Sequence, residues 1–379
     1  MAVGDVVDPT YVLVATVARD DATTTLFFGH LSHQVPMRFV ESVPRSMRSL
    51  FRSLKSEMAM ASPLAGARAL IVNRGLFEFS SLANCARAVS IPCYYFIDDN
   101  FIVLSEEGNA DVRDAGQYTT ADVRRALRVF DGVLCATESL RSYFLHHQLH
   151  PNVDLYPPVA SSAPAVRRHS GERLHVAFFG GAHRREPFRR VVLPAIERLA
   201  QGRPVTLYAA GIDMPHDGTT GLEIVLVPYD RRYSAAIHEM AQHQIDVLVH
   251  PTSITDNNAY KNPHVLINSR ALGAAPVFSD APPYDALADE GVCLLTRDSE
   301  QDWFEALSRL DDAGFRSTLV ARGAAYCERH FSGDLNVRFL NGLIAARAED
   351  LTPPSVRSLK WRLARGFVND LSRRLLKAA

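Results

Sequence analysis

One pattern governs this chain. A short run of apolar, β-branched residues gives way to a polar break. A longer segment follows, with apolar residues three and four apart, and the cycle then repeats. The runs at 11–17, 69–73, 93–97 and 132–136 are almost wholly apolar, as parallel strands buried on both faces must be. The segment 44–60 sets Met47, Leu50, Phe51, Leu54 and Met58 on one helical face. Such alternation predicts mostly parallel sheets covered by helices, an α/β architecture. Further strands are expected at 25–29 and 38–42, and helices at 80–89, 121–130 and 138–147.

At 379 residues the chain is too long for one ordinary domain. The stretch 160–171, rich in Ala, Ser, Pro and Arg, has no period and interrupts the alternation. A second series starts at once, with strands expected at 175–179, 205–209, 223–227, 246–250, 275–279 and 291–295. Helices are expected between them at 188–200, 234–242, 265–272 and 301–310. We therefore expect an N-terminal α/β domain over 1–160, a linker over 161–173, a C-terminal α/β domain over 174–350 and an appended segment over 351–379. Ligands of open α/β sheets bind outside the carboxyl ends of the strands, so the loops there are the first places to look for chemistry.

Charge narrows the partners. With 41 Lys and Arg against 42 Asp and Glu, no global positive field exists to hold nucleic acid. The last 29 residues nevertheless carry a local excess of six positive charges. Within 355–377, Leu359, Leu363, Phe367, Leu371 and Leu375 recur four apart, with Arg362, Arg365 and Arg373 on the far side and Trp361 at the flank. This basic amphipathic helix is expected either to lie on an anionic membrane surface or to pack back on the first domain. The five cysteines are odd in number, scattered and never in a C-x-x-C pair, which predicts reduced, buried thiols and no zinc site. No secretory signal and no apolar run of membrane-spanning length is visible, so the expected location is cytoplasmic, at most peripheral on the inner face of the membrane.

Three loops carry candidate chemistry. Gly180-Gly181 follows the strand at 175–179 and leads into Ala182-His183-Arg184-Arg185. Glycines let backbone approach a ligand closely, and arginines fork onto phosphate oxygens. After the strand at 246–250, the polar stretch 252–262 precedes a helix, with Lys261 beside its start as a cation for a phosphate. Asp256, Asn257 and Asn258 have the donors and acceptors that sugar hydroxyls require. In the first domain, Asp98-Asp99-Asn100 ends a strand and is suited to binding a metal, acting as a base, orienting an acceptor or capping a turn. Asn73-Arg74-Gly75 ends another strand and could add polar contacts, and His30 and His33 follow the expected strand at 25–29. No G-x-S-x-G elbow is present, which argues against a hydrolase, and no G-x-G-x-x-G marks a dinucleotide site.

The order of strand, polar loop, Lys261, a helix carrying Asn268-Ser269-Arg270-Ala271-Leu272-Gly273, then Pro276-Val277-Phe278-Ser279 resembles the C-terminal half of GT-B glycosyltransferases. It is most similar to the large retaining group that uses sugar nucleotides, in which a helix bearing E-A-x-A-x-G runs into P-V-V-x-S. The similarity spreads over most of 174–331 and ends in Phe331-Ser332. It implies two Rossmann-like domains facing across a cleft, with the donor held by the second. By that resemblance Gly180, Gly181, Arg184 and Arg185 stand where a loop holds the diphosphate. Lys261 stands at the lysine position of one subset, and Pro282-Pro283-Tyr284 at a loop touching base or phosphate. Asn258 joins this donor-binding set. The sequence departs from the group at its two glutamates, whose positions fall on Tyr260 and Asn268. Asn268 retains an oxygen for ribose hydroxyls without the charge.

The implied activity is transfer of a sugar from a nucleotide-diphosphate donor to a glycan or lipid-linked acceptor, in the synthesis of surface polysaccharide or glycoconjugate. The sugar nucleotide is a co-substrate, and neither cofactor nor metal is expected. Retention is implied by the resemblance alone. For an inverting reaction Asp98, Asp99 and His30 are the candidate bases. Two other readings share the architecture, a sugar-nucleotide epimerase and a non-catalytic partner of an active transferase.

Overall fold

The computed structural model describes residues 11–41, 50–108, 118–160, 171–180, 184–212, 221–228, 230–253, 255–345 and 354–378. The chain divides into two compact units. The first comprises Met1–Arg19, Thr23–Pro157 and Gly333–Ala379, the second Asp20–Ala22 and Pro158–Ser332.

The first unit is built on β1 (Tyr11–Thr16), β2 (Met37–Glu41), β3 (Ala67–Asn73), β4 (Cys93–Ile97), β5 (Gly132–Cys135) and β6 (Val153–Leu155). They form one parallel sheet in the order β2-β1-β3-β4-β5-β6. Every residue of β1 is buried, and Val14 stands opposite Ile71 of β3. Burying a Val, Ile or Leu side chain is worth about 1.5–3 kcal/mol, so the central strands alone account for much of the drive to form the layer.

The second unit repeats the plan with β7 (Leu174–Phe179), β8 (Val205–Ala210), β9 (Leu222–Val227), β10 (Val247–His250), β11 (Ala275–Ser279) and β12 (Leu294–Thr296). The sheet is again parallel, ordered β12-β11-β10-β7-β8-β9. Val176, Leu207, Val249 and Val277 from its strands share a core with Val192, Ile196, Trp303, Leu307 and Leu319 from covering helices.

Chain order reverses once in each sheet, between β1 and β3 in the first and between β7 and β10 in the second. At such a point the connections leave toward opposite faces and open a crevice outside the carboxyl ends, where open α/β sheets bind ligands.

Two expectations change. Residues 25–29 are not a strand: the chain forms the helix Ala22–Phe27. Thr24 lies on that helix, and its hydroxyl bonds Thr16 at the end of β1 (2.8 Å) and accepts from Asn73 at the end of β3 (2.9 Å). These tertiary bonds override the β propensity of the threonine run. The end of the expected second domain, 174–350, is also different: from Gly333 on, including the helix Asp334–Ala345, the chain belongs to the first unit. Asn336 there donates to the Pro157 carbonyl (2.8 Å), and Phe339 packs on Tyr94 and Tyr156. The helix expected over 44–60 is described from Leu50 to Ala59, residues 42–49 lying outside the described part, as does most of the expected linker.

Of the two placements open to the C-terminal helix, Val356–Ala378, the structure adopts packing on the first unit. Leu359, Leu363 and Phe367 are buried, against the helices Leu50–Ala59, Ala61–Ala65 and Ser80–Ala88. A Cβ at Gly366 would sit 3.3 Å from Ser81, so the helices meet at close range there. The side chains of Leu371, Arg373 and Leu375 lie outside the described part.

All five cysteines are buried and free. Burial raises the Cys85 thiol to about 11 and those of Cys293 and Cys327 to about 12. Among the described residues no helix is long and apolar enough to cross a membrane.

Candidate functional site

In the second unit β7 ends at Phe179, and Gly180 follows it. A Cβ there would meet the Arg184 Cδ at 3.2 Å, so glycine leaves room for the arginine stem to fold back over the strand end. Gly181 lies outside the described residues. A continuous helical stretch follows: Arg185–Pro187, a π-helical turn Phe188–Val192, and Leu193–Ala200. Phe188 anchors it on Phe178 of β7, with ring centroids 4.2 Å apart.

Tyr284 lies within reach of the Arg184 charge. Tyr284 is buried against Phe278 (4.5 Å) and His250 (5.7 Å), at the ends of β11 and β10. Burial raises its hydroxyl well above the ordinary tyrosine value, and the Arg184 charge opposes that rise. Arg185 goes elsewhere, lining an open groove with Glu186, Arg189 and Arg190. Arg190 in that groove is held by Asp298 (2.6 Å) and Glu186 (3.0 Å). The two neighbouring arginines therefore have different surroundings, which their adjacency in sequence does not convey.

The polar loop after β10 is tightly organised. Thr252 N–H donates to the Ser279 hydroxyl (2.9 Å), tying the ends of β10 and β11 together. Thr255 caps a short 3-10 helix, Asp256–Tyr260, by accepting from the Asn257 N–H (3.2 Å). Asn258 is buried and donates to the Ser253 carbonyl (2.5 Å), so its amide nitrogen serves the loop. Lys261 follows, partly exposed, its N–H bonded to the Asn258 carbonyl (3.2 Å). The helix Val265–Leu272 starts shortly after and is ended by Gly273 at φ 62°, a left-handed cap that glycine adopts without strain.

Asn268 sits on that helix, buried, and its Oδ1 accepts a 2.6 Å hydrogen bond from the Tyr233 hydroxyl. Tyr233 opens the helix Tyr233–Gln242, and nothing in the sequence marked it. The acceptor that stands in the place of a family glutamate thus already has a partner within the protein.

The first unit gathers a different set at its reversal point. Arg74, just past β3, holds both carboxylates: its Nε lies 3.3 Å from Asp98 and its Nη2 3.3 Å from Asp99. Its Nη1 donates to Thr23 (3.1 Å), whose hydroxyl donates in turn to Asp98 (2.7 Å). The guanidinium also lies over the Phe101 ring, 5.1 Å from its centroid. Arg74 takes φ 64°, a left-handed conformation unusual for a side-chain-bearing residue, and Tyr95 pins its carbonyl (2.8 Å). Asn100 caps the next helix, Phe101–Glu106, leaving the two aspartates to the cluster. His30 lies on a separate short turn, Gly29–Leu31, partly buried.

No family model matches the chain, and no curated protein sequence matches it. Solved structures do. The chain is similar to a sucrose-phosphate synthase from Thermosynechococcus elongatus, at 12% identity and TM-score 0.56, over 88% of this chain and 98% of that one. WaaG, a glycosyltransferase involved in lipopolysaccharide biosynthesis, aligns at 12% identity and TM-score 0.55, over 87% and 100%. HepE of Anabaena, solved with UDP and glucose, aligns at 14% identity and TM-score 0.54, over 90% and 100%. With its two parallel α/β units, the chain has the GT-B fold.

Proposed function

We propose that this protein is a glycosyltransferase that moves a sugar from a nucleoside-diphosphate donor to a glycan or lipid-linked acceptor. The observation that carries the reading is the reversal point of the second sheet. There a glycine-cleared strand end leaves room for Arg184, whose charge acts on Tyr284, and a hydrogen-bonded polar loop from β10 carries Lys261. Likeness to a protein solved with UDP and glucose supports the same donor class. In this reading Arg184 and Lys261 stabilise charge developing on the departing diphosphate, and Arg185 lies beside the path without sharing that role. Gly180 and Gly181 admit the phosphates, Asn258 shapes the sugar loop, and Tyr284 borders the nucleotide. Asn268, already bonded to Tyr233, contacts the ribose through its remaining hydrogen-bonding capacity. Asp98 and Asp99, neutralised in part by Arg74, orient an acceptor hydroxyl and are not free bases at rest. The chemistry needs no cofactor beyond the sugar nucleotide. The protein works in the cytoplasm, on glycans or lipid-linked saccharides at the inner membrane face.

The test is thermal denaturation with a panel of nucleoside diphosphates and sugar nucleotides. A ligand at 100 times its dissociation constant stabilises by about 2.7 kcal/mol. The expected result is a shift with one base and its sugar nucleotide, followed by nucleoside-diphosphate release when acceptor is added. Absence of a shift with every nucleotide overturns the reading. Binding without turnover supports the non-catalytic alternative.

A further inference from the structure

Burial of Leu359, Leu363 and Phe367 settles which face of the C-terminal helix points inward, and so defines the opposite one. On that outward side Arg357, Trp361, Arg365 and Val368 follow one another at helical spacing. Trp361 is 62% exposed and Val368 52%, the largest exposures among the described large apolar side chains of the first unit. Arg365 lies over the Trp361 ring, 5.4 Å from its centroid. Lys360 and Arg362 flank the stripe, both exposed, and no acidic residue occurs from Val356 to Asn369. Trp361 supports no packing of the helix on the first unit, a task the buried stripe already performs.

We propose that this outward face docks on an anionic lipid surface, with Trp361 and Val368 seated at the headgroup level and Arg357, Lys360, Arg362 and Arg365 paired with lipid phosphates. Charge complementarity selects the occupant: four exposed cations in a run of the helix that carries no acidic residue, set around an amphipathic ring, fit an anionic interface, where tryptophan characteristically sits. The helix lies along the surface with its inner face kept in the protein, so docking requires no unfolding of the first unit. This inference is independent of the transferase reading, since it concerns a different surface and a different ligand.

The experiment uses the full chain and vesicles of phosphatidylglycerol mixed with phosphatidylcholine, against phosphatidylcholine alone. Co-sedimentation is expected with the anionic vesicles at low salt and not with the neutral ones. The chain has two tryptophans, and Trp303 is fully buried, so a vesicle-induced blue shift and quenching by brominated lipid report Trp361. The triple variant R357E/W361A/R365E is expected to melt at the wild-type temperature and to lose about tenfold or more in partitioning. Equal partitioning of variant and wild type overturns the proposal, as does the absence of wild-type binding at low salt. Unquenched tryptophan on bound protein overturns it without recourse to any variant.

Discussion

The two sheets reverse their chain order at comparable places, yet the side chains gathered there are of opposite kinds. Past β3 the first unit closes a network on itself, with Arg74 tied to Asp98, Asp99 and Thr23. Past β7 the second unit sets Gly180 beside the Arg184 stem, and past β10 it carries Lys261 on a loop held by its own backbone and hydroxyl bonds. Internal satisfaction favours stability and a fixed geometry; cations on rigid loops favour an incoming anion. The same crevice-forming topology thus yields one end built on an arginine–carboxylate network and one where glycine and cations stand at the strand ends.

Removing the guanidinium is the most direct way to break this contrast. Arg74→Ala leaves two largely buried carboxylates facing one another, and urea denaturation should show a loss of about 2–3 kcal/mol. Arg184→Ala and Lys261→Ala should change stability by less than about 0.5 kcal/mol while abolishing the nucleotide-induced stabilisation of about 2.7 kcal/mol. Equal destabilisation by all three substitutions would erase the distinction between the two ends.

The thiols sharpen the comparison at alkaline pH. Cys85 in the first unit stays protonated to about 11, Cys293 and Cys327 in the second to about 12, whereas unfolded thiols ionise near 9. Above pH 9 the unfolded chain therefore loses protons that the folded chain retains, and stability falls. Each thiol should contribute about 1.4 kcal/mol of loss per pH unit until its folded value is reached. Melting from pH 8 to 11 in Cys85→Ala and in Cys293→Ala/Cys327→Ala isolates these shares, and the loss that remains in both variants belongs to Cys93 and Cys135, which burial in the first unit also raises.

The smallest effect is expected at Tyr233. Phenylalanine there deletes the hydroxyl bonded to Asn268 and should cost about 1 kcal/mol by denaturant titration. A change in nucleotide affinity accompanying that small loss would show that the bond sets the orientation of Asn268.

Periodicity and apolar runs made the layers legible in the sequence, because burial on both faces demands nearly unbroken apolar strands such as those at 93–97 and 247–250. It misled at 25–29, where local propensity lost to hydrogen bonds of Thr24 with Thr16, eight residues back, and with Asn73, 49 residues on. The site was legible where glycine and cations follow a strand, as at Gly180 and Lys261. Tyr233 lies 35 residues from Asn268, and no local pattern announces so distant a pair. Arg74 was visible as a strand-end residue, but its command of both aspartates depends on how β3 and β4 are paired.

The backbone leaves the first unit after Pro157 and returns to it at Gly333, so the second unit, Asp20–Ala22 apart, is an insertion within the first. Near those crossings the Ala160 N–H bonds the Phe331 carbonyl at 2.9 Å. The inserted unit therefore begins and ends within one hydrogen bond of the same spot. Such neighbouring ends are what excision and grafting require. A fragment spanning 158–332 could be expressed alone, and a short linker could reseal the chain it came from, turning the two halves into separately exchangeable parts.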